Sequence, residues 1–393
     1  MARDEKPYRI YRGGRVKGKV PSAGRRTSTG RDPNGAGTPA TPPPYRGPNA
    51  VPARSRRRRI APWIALGVLV LLALVVAWGV FGYLSVSHGV SDANGRLDPD
   101  AKAELTKQNG LLVSNSTTIL LLGTDNADLA SRAGDDHSDS IMLVRTDPSH
   151  HRLYFLSIPR DLQVPIPGGG TQKINAAYQL GGAALAIKTI QQFTGLEINH
   201  VMVVNFGAFK DLIDAIGGIT VNVPKPIRSN RFDCPFKTQA QCEKWPGWRF
   251  AKGTQHMNGE RALVYSRIRE NVLDPAETDI TRGARQQAVI DAVTGKLTSI
   301  GSLLRLPFHG SSYVKPLTTD LTAAQLIQLG WVKFRASSSS SVHCRLGGDL
   351  GGGGNGSPSE DDPATLAMFL GKSAPQPPTD PFGPGCVIGH TLQ

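Results

Sequence analysis

Between Thr117 and Val223 the chain alternates short apolar runs with longer stretches of helical period. "TTILLLG" (117–123), "IMLVRT" (141–146), "LYFLSI" (153–158), "VMVVNF" (201–206) and "ITVNV" (219–223) are rich in β-branched and aliphatic residues. They predict mostly buried strands. "GGAALAIKTIQQFTG" (181–195) and "AFKDLIDAIGG" (208–218) carry apolar residues at helical spacing and close on glycine, as helices often do. A long helix is predicted from about Asp279 to Leu297, and "ATLAMFLGK" (364–372) gives a weaker hint near the end. Strands alternating with helices predict an α/β fold: one domain with a mixed central sheet flanked by helices.

A different pattern precedes it. "APWIALGVLVLLALVVAWGVFGYL", Ala61 to Leu84, holds no charged residue. About 20 apolar residues at helical rise cross a bilayer. Trp63, Trp78 and Tyr83 sit toward its ends, as interfacial aromatics do. A cleaved signal peptide is the competing reading, but 60 residues of preceding sequence are too long for one. The chain carries a net charge of +14. Residues 1–60 hold 16 of its 45 basic and three of its 31 acidic side chains, leaving 29 against 28 elsewhere. The basicity therefore belongs to a tail and not to the folded part. "RSRRRR" (54–59) abuts the apolar run, so the positive-inside rule predicts a cytoplasmic N-terminus and an external domain. The tail, rich in Arg, Gly, Pro and Ser, buries too little to fold and shows no nucleic-acid-binding motif.

The predicted organisation is a tail at 1–60, a transmembrane helix at 61–84, a polar stalk at 85–112 and the α/β domain at 113–335. Residues 336–393 form a low-complexity, disulfide-tethered segment. All four cysteines, Cys234, Cys242, Cys344 and Cys386, fall on the predicted external side without a zinc-like CxxC pair. Of three connectivities, short loop closure favours Cys234–Cys242 with Cys344–Cys386.

Charged residues stand at the ends of these elements. "YFLSIPRD" delivers Arg160 and Asp161 to the end of an apolar strand. The inward stripe of the 279–297 helix, Val289, Ile290, Val293 and Leu297, continues backward through Gln286, Arg285 and Arg282. That arrangement suits an anion at a helix N-terminus, unless the side chains snorkel to solvent. In "RALVYSRIRE", Arg267 and Arg269 can share one site only if the chain leaves helix near Ser266; otherwise they are exposed residues of an amphipathic helix. "QKINAAY" adds Lys173 after a glycine loop. Asp125 ends one strand and Asp139 stands just before the next, a pair suited to Mg²⁺ with phosphate oxygens or to ordinary turn chemistry.

"LLLGTD", "SDSIMLVR", "LSIPRDLQVPIPG", "KINAAY", "GGITVNV", "MNGERALVYSRIR" and "DITRGARQQAVI" occur in the order and spacing of the LytR-CpsA-Psr family, which the chain resembles over roughly residues 113–300. The resemblance implies a membrane-anchored phosphotransferase that moves a glycopolymer from a polyprenyl-pyrophosphate carrier to peptidoglycan. It implies Mg²⁺ at Asp125 and Asp139. Pyrophosphate contacts are implied at Arg160, Lys173, Arg267, Arg269, Arg282 and Gln286, with Asp161 as the acid after the strand arginine. One departure stands out: His137 replaces the arginine usual before Ser138-Asp139. A carrier of this kind needs an apolar groove, for which the aliphatic faces of "AALAIKTIQQF" and "AVIDAVTGKL" are the expected walls. The rival readings are a non-catalytic binder of wall glycan or lipid, and a membrane-bound transcriptional attenuator.

Overall fold

The computed structural model describes residues 57–124, 138–230, 234–236, 238–268, 270–275, 279–351, 355–379 and 383–389. The chain divides into two units, Met1–Ala61 and Pro62–Gln393. The second carries the fold.

Its elements in chain order begin with α1 (Arg57–Gly95), α2 (Pro99–Ala103), β1 (Thr118–Thr124), β2 (Ser138–Asp147), β3 (Arg152–Ile158), β4 (Gln163–Ile166) and β5 (Gly170–Lys173). Then follow α3 (Ala176–Thr194), β6 (His200–Asn205), α4 (Phe206–Ala215), β7 (Ile219–Val223), β8 (Ile227–Arg228), α5 (Gln239–Lys244), β9 (Arg249–Phe250) and β10 (Gly253–Met257). The remainder are α6 (Gly259–Arg267), α7 (Asp279–Leu297), α8 (Ile300–Val314), β11 (Thr318–Thr319), α9 (Ala323–Arg335), β12 (Val342–Arg345), β13 (Gly348–Gly351), β14 (Asn355–Pro358), α10 (Asp362–Phe369) and β15 (Gly385–Ile388).

Seven strands form the central sheet in the order β11-β6-β1-β2-β3-β12-β15. β1 runs parallel to β6 and antiparallel to β2, and β3 runs parallel to β12, so the sheet is mixed as predicted. Successive side chains point to opposite faces. On one face Leu120, Leu143, Leu156 and Val201 pack with Ala183, Ala186, Ile187 and Ile190 of α3 into a continuous core. The small residues of α3 let it lie close to the sheet. It bends at Gly181–Gly182, where Gly182 takes φ 58°, and ends on Gly195 in the left-handed region. On the other face Leu121, Val144, Phe155 and Met202 look toward α4, α7, α8 and α9.

β1, β3 and β6 all end at one edge of the sheet, where β2 begins, because β2 runs opposite to β1. α7 reaches that edge with its N-terminal turns. A Cβ on Gly283 would sit 2.6 Å from Ser157 Oγ, so a side chain there would push the helix off β3.

Two boundaries differ from the sequence reading. The predicted stalk begins as helix: α1 runs unbroken to Gly95, with Val86, Val90 and Ala93 buried against Val314 and Ala323. The polar flank concealed one apolar stripe. The domain edge drawn at 335 also falls short, since β12 is an inner strand of the sheet. "VHCR" lacks an apolar run because His343 and Arg345 find polar partners inside, Arg345 Nη2 donating to the Gly383 carbonyl at 2.9 Å. His343 stacks on Phe155 at 4.9 Å and bonds Gln287 of α7 at 3.1 Å. The expected disulfides are present: Cys234–Cys242, and Cys344–Cys386 directly across the β12–β15 pair.

Candidate active site

The strand-end charges of "IPRD" form a cluster. Asp161 Oδ1 accepts from Lys173 Nζ at 2.9 Å, and its other oxygen lies 3.4 Å from Arg160 Nε. The β4–β5 hairpin folds back to bring Lys173 there, and the Asn175 N–H donates to the Arg160 carbonyl. Burial alone would raise the Asp161 pKa. The Lys173 hydrogen bond and the charges of Arg160, Lys173 and Arg282 outweigh it, so the carboxyl is held below its ordinary value. Arg282, from the first turn of α7, thus joins this cluster to the helix.

Between the free face of the sheet and α4, α7, α8 and α9 lies a cavity of about 1020 Å³. That is at the top of the range of roughly 300–1,000 Å³ usual for small-molecule pockets. Its walls are overwhelmingly apolar, among them Val289, Ile290, Val293 and Leu297 of α7. Ser140, Arg267, Glu270, Arg282 and Gln286 line it where the strands end, and Lys333 of α9, paired with Asp291, is a further charged lining residue. From Arg282 to Leu297 the cavity follows α7 over fifteen residue steps, about 22 Å at the ~1.5 Å rise of an α-helix.

Each charged lining residue is positioned by its element. α6 starts on the Asn258 cap, which accepts from the Arg261 N–H, and ends at Arg267. Ile268 then takes non-helical dihedrals (φ −52°, ψ 121°), so the chain leaves helix next to Ser266, as a site shared by Arg267 and Arg269 requires. Arg267 lies over the Phe206 ring at 4.2 Å, a cation–π contact that presents the guanidinium at the mouth. Gln286 accepts from Ser140 Oγ at 2.9 Å, tying α7 to β2.

Of the residues singled out in the sequence, Arg160, Asp161, Lys173 and Arg282 come together, and Arg267, Arg282 and Gln286 share the mouth. Arg285 is buried but is not a lining residue; its Nη2 donates to the Ile268 carbonyl and holds the end of α6. The α7 stripe is wide enough to send one arginine to the cavity and the other to backbone. Asp125 and Arg269 lie outside the described residues, as does the side chain of Asp139. So does His137. Of the two expected groove walls, α7 lines the cavity, whereas α3 lies on the opposite sheet face. Alternation shows that a helix has an apolar face but not which side of the sheet it covers. Sequence reasoning missed Phe206, Ser140 and Glu270. Phe206, at the end of "VMVVNF", reads there as the last strand residue.

At the strand ends the described residues leave one buried oxygen donor unengaged. Register pairs Thr124 with Ser138 across a bulge, which sets position 139 beside the point where β1 hands over to Asp125. Ser138 Oγ is buried with no hydrogen-bond partner among the described residues. Carboxylates and hydroxyls are the hard donors that Mg²⁺ prefers. Among the described residues no cluster of three metal-binding side chains occurs.

Comparisons with known proteins give a family and a fold. The model of the LytR_cpsA_psr family matches residues 80–344. Polyisoprenyl-teichoic acid–peptidoglycan teichoic acid transferase TagU of Bacillus mycoides is 31% identical over 278 residues, covering 70% of this chain and 83% of TagU. The structure of TagT bound to LI-WTA superimposes with a TM-score of 0.52 at 26% identity, covering 69% of this chain and 96% of TagT. That of B. subtilis TagV gives 0.51 at 26% identity, covering 66% and 98%.

Proposed function

The chain belongs to the LytR_cpsA_psr family, and we propose that it transfers a glycopolymer from a polyprenyl-pyrophosphate carrier to peptidoglycan, forming a phosphodiester. One observation carries this reading: a cavity that follows α7 for about 22 Å at ~1.5 Å per helical residue is apolar along most of its wall and has Arg267, Arg282 and Gln286 at its rim. A long prenyl chain with a doubly charged head matches both halves. The names of the relatives, teichoic acid transferases acting from a polyisoprenyl carrier, point the same way.

In this reading the prenyl chain lies along α7 and the pyrophosphate meets the rim. A hydroxyl of the wall glycan attacks the glycan-proximal phosphorus in line. A new P–O bond forms to the acceptor, the bond to the bridging oxygen breaks, and polyprenyl phosphate leaves. Arg267, Arg269 and Arg282 neutralise charge on the phosphoryl oxygens, where catalysis of such transfers mostly originates. Asp161 stays ionised and engaged by Lys173, so it orients Arg160, Lys173 and Arg282 rather than taking the proton. The hydroxyl's proton passes to a rim carboxylate; Glu270, which accepts from Asn230 at 2.8 Å, is one in place. Asp125 and Asp139 would hold Mg²⁺, which when bound supplies positive charge to the phosphate oxygens. The span would set the N-terminus in the cytoplasm, with a reporter fused after residue 393 active only outside.

The test is transfer by purified protein across a Mg²⁺ titration. Arg267→Ala and Arg269→Ala should each lose on the order of 10²–10³ in rate, the scale for one well-placed electrostatic donor, and extra Mg²⁺ should not restore it. Asp125→Ala and Asp139→Ala should shift the Mg²⁺ dependence. Four folded variants with wild-type transfer would leave a binder.

A further inference from the structure

We propose that α8 lies in the bilayer beside the membrane-spanning part of α1, in the leaflet where that span ends, and that its outer face is a lipid-contacting surface flanking a side entrance to the cavity. The chain is a single-pass membrane protein, with an apolar window of mean hydropathy 2.8 in α1. α8 is packed along that helix. Trp78 Nε1 donates to the Leu304 carbonyl, and the Ser311 N–H donates to Ser85 Oγ. Gly89 and Gly310 make the approach possible: a Cβ on Gly89 would stand 2.7 Å from the Ser311 carbonyl oxygen, and one on Gly310 2.9 Å from Val86.

These contacts fix depth. Trp78 lies six residues before Leu84, about 9 Å into the apolar run at ~1.5 Å per residue. Leu304 shares that level. Both helices ascend together, from Trp78–Leu304 to Ser85–Ser311, so Ile300 lies about 6 Å deeper still at ~1.5 Å per residue. A helix at this depth must turn an apolar face outward. α8 does so: Ile300, Leu304 and Phe308, spaced by four on one stripe, are 70%, 63% and 82% exposed. In water such a stripe would be costly; against acyl chains it is matched. Arg305, exposed beside Leu304, can snorkel to the lipid phosphates.

The inner side of the same helix lines the cavity through Leu303 and Leu306. Across from it Trp331 and Phe334 of α9 both line the cavity and remain 53% and 56% exposed, so the apolar end is open between α8 and α9. A prenyl chain would then pass sideways from leaflet to cavity without its tail crossing water. This entrance rests on the transfer reading; the bilayer contact of α8 does not.

The test uses the full chain in nanodiscs of phosphatidylglycerol and phosphatidylethanolamine, with an environment-sensitive fluorophore on Ile300→Cys, Leu304→Cys or Phe308→Cys. Leu180→Cys, on an exposed leucine of α3, is the comparison. Lipids bearing a mid-chain nitroxide should quench labels at 300 and 304 several-fold more than at 180, with 308 between them, and aqueous iodide should do the reverse. Quenching at 300 and 304 that matches 180 overturns the proposal. So does shielding from both quenchers with two copies per disc, which would make the stripe a contact between chains. For the entrance, Leu304→Glu combined with Phe308→Glu should slow transfer from a disc-embedded carrier several-fold and spare a short-chain, water-soluble donor. Equal slowing of both, or of neither, rejects the entrance.

Discussion

The two faces of the central sheet are made of the same residue types and end differently. On the α3 side, Leu143 and Leu156 are wholly buried in contact with small helical residues. On the α7 side, Leu121, Val144 and Met202 face a cavity of about 1020 Å³. Close packing is the norm for protein interiors, and a void forfeits dispersion contacts along its lining. Residues of α4, α7, α8 and α9 wall this hollow. One face is packed solid and the other encloses space. Arg267, Arg282 and Gln286 stand at the hollow face, where the strands end.

Truncation and enlargement should separate the faces. Leu143→Ala on the filled face should cost about 2–5 kcal/mol of unfolding free energy, the range for buried leucines. Val204→Ala, in the cavity wall, should cost well under half of that by thermal or denaturant melt. A comparable loss at both would show that the cavity closes up in solution. Enlargement reverses the ranking for function. Val204→Trp should keep the melt and weaken carrier binding by on the order of tenfold, or about 1.4 kcal/mol. Ala186→Trp on the α3 side should instead overpack, lowering stability by about 1–3 kcal/mol.

The smallest expected effect concerns Asp161. Its folded pKa is depressed, so its contribution is fully present above the unfolded value near ~3.9 and is lost as pH falls through the folded value. Asp161→Asn should flatten the stability profile below about pH 4 and leave it nearly parallel to wild type at neutral pH. An unchanged acid limb would show that Lys173 and Arg160 do not hold the carboxylate in solution.

Much of this was legible in the chain. α7 occupies the predicted Asp279–Leu297, and the strands from "TTILLLG" to "VMVVNF" all enter the sheet, because each is a run of one texture bounded by turn residues. Arg160, Lys173 and Arg282 announce themselves as charge at element ends. β12 did not, since a strand of Val, His, Cys and Arg pairs its polar groups only once folded. "ITVNV" was legible as a strand but pairs with β10 outside the main sheet, a matter of topology rather than pattern. The hollow itself was illegible. Val289 and Val293 read as core whether the space beyond them holds protein or a lipid tail, and α3 reads as a wall with equal right. Arg285 shares its helix stripe with Arg282, and only the course of the chain after α6 assigns it to the Ile268 carbonyl.

The central claim is that the hollow face houses the carrier's chain while the rim holds its head. Photo-cross-linking tests it most directly, using polyprenyl pyrophosphate with a diazirine near the tail end and full-length protein in lipid discs. Peptide mapping should place the adducts on α7, α8 and α9, around Val293, Leu297, Leu306 and Trp331, and an excess of unlabelled carrier should abolish them. Adducts on α3, or spread evenly over the exposed surface, would contradict the account.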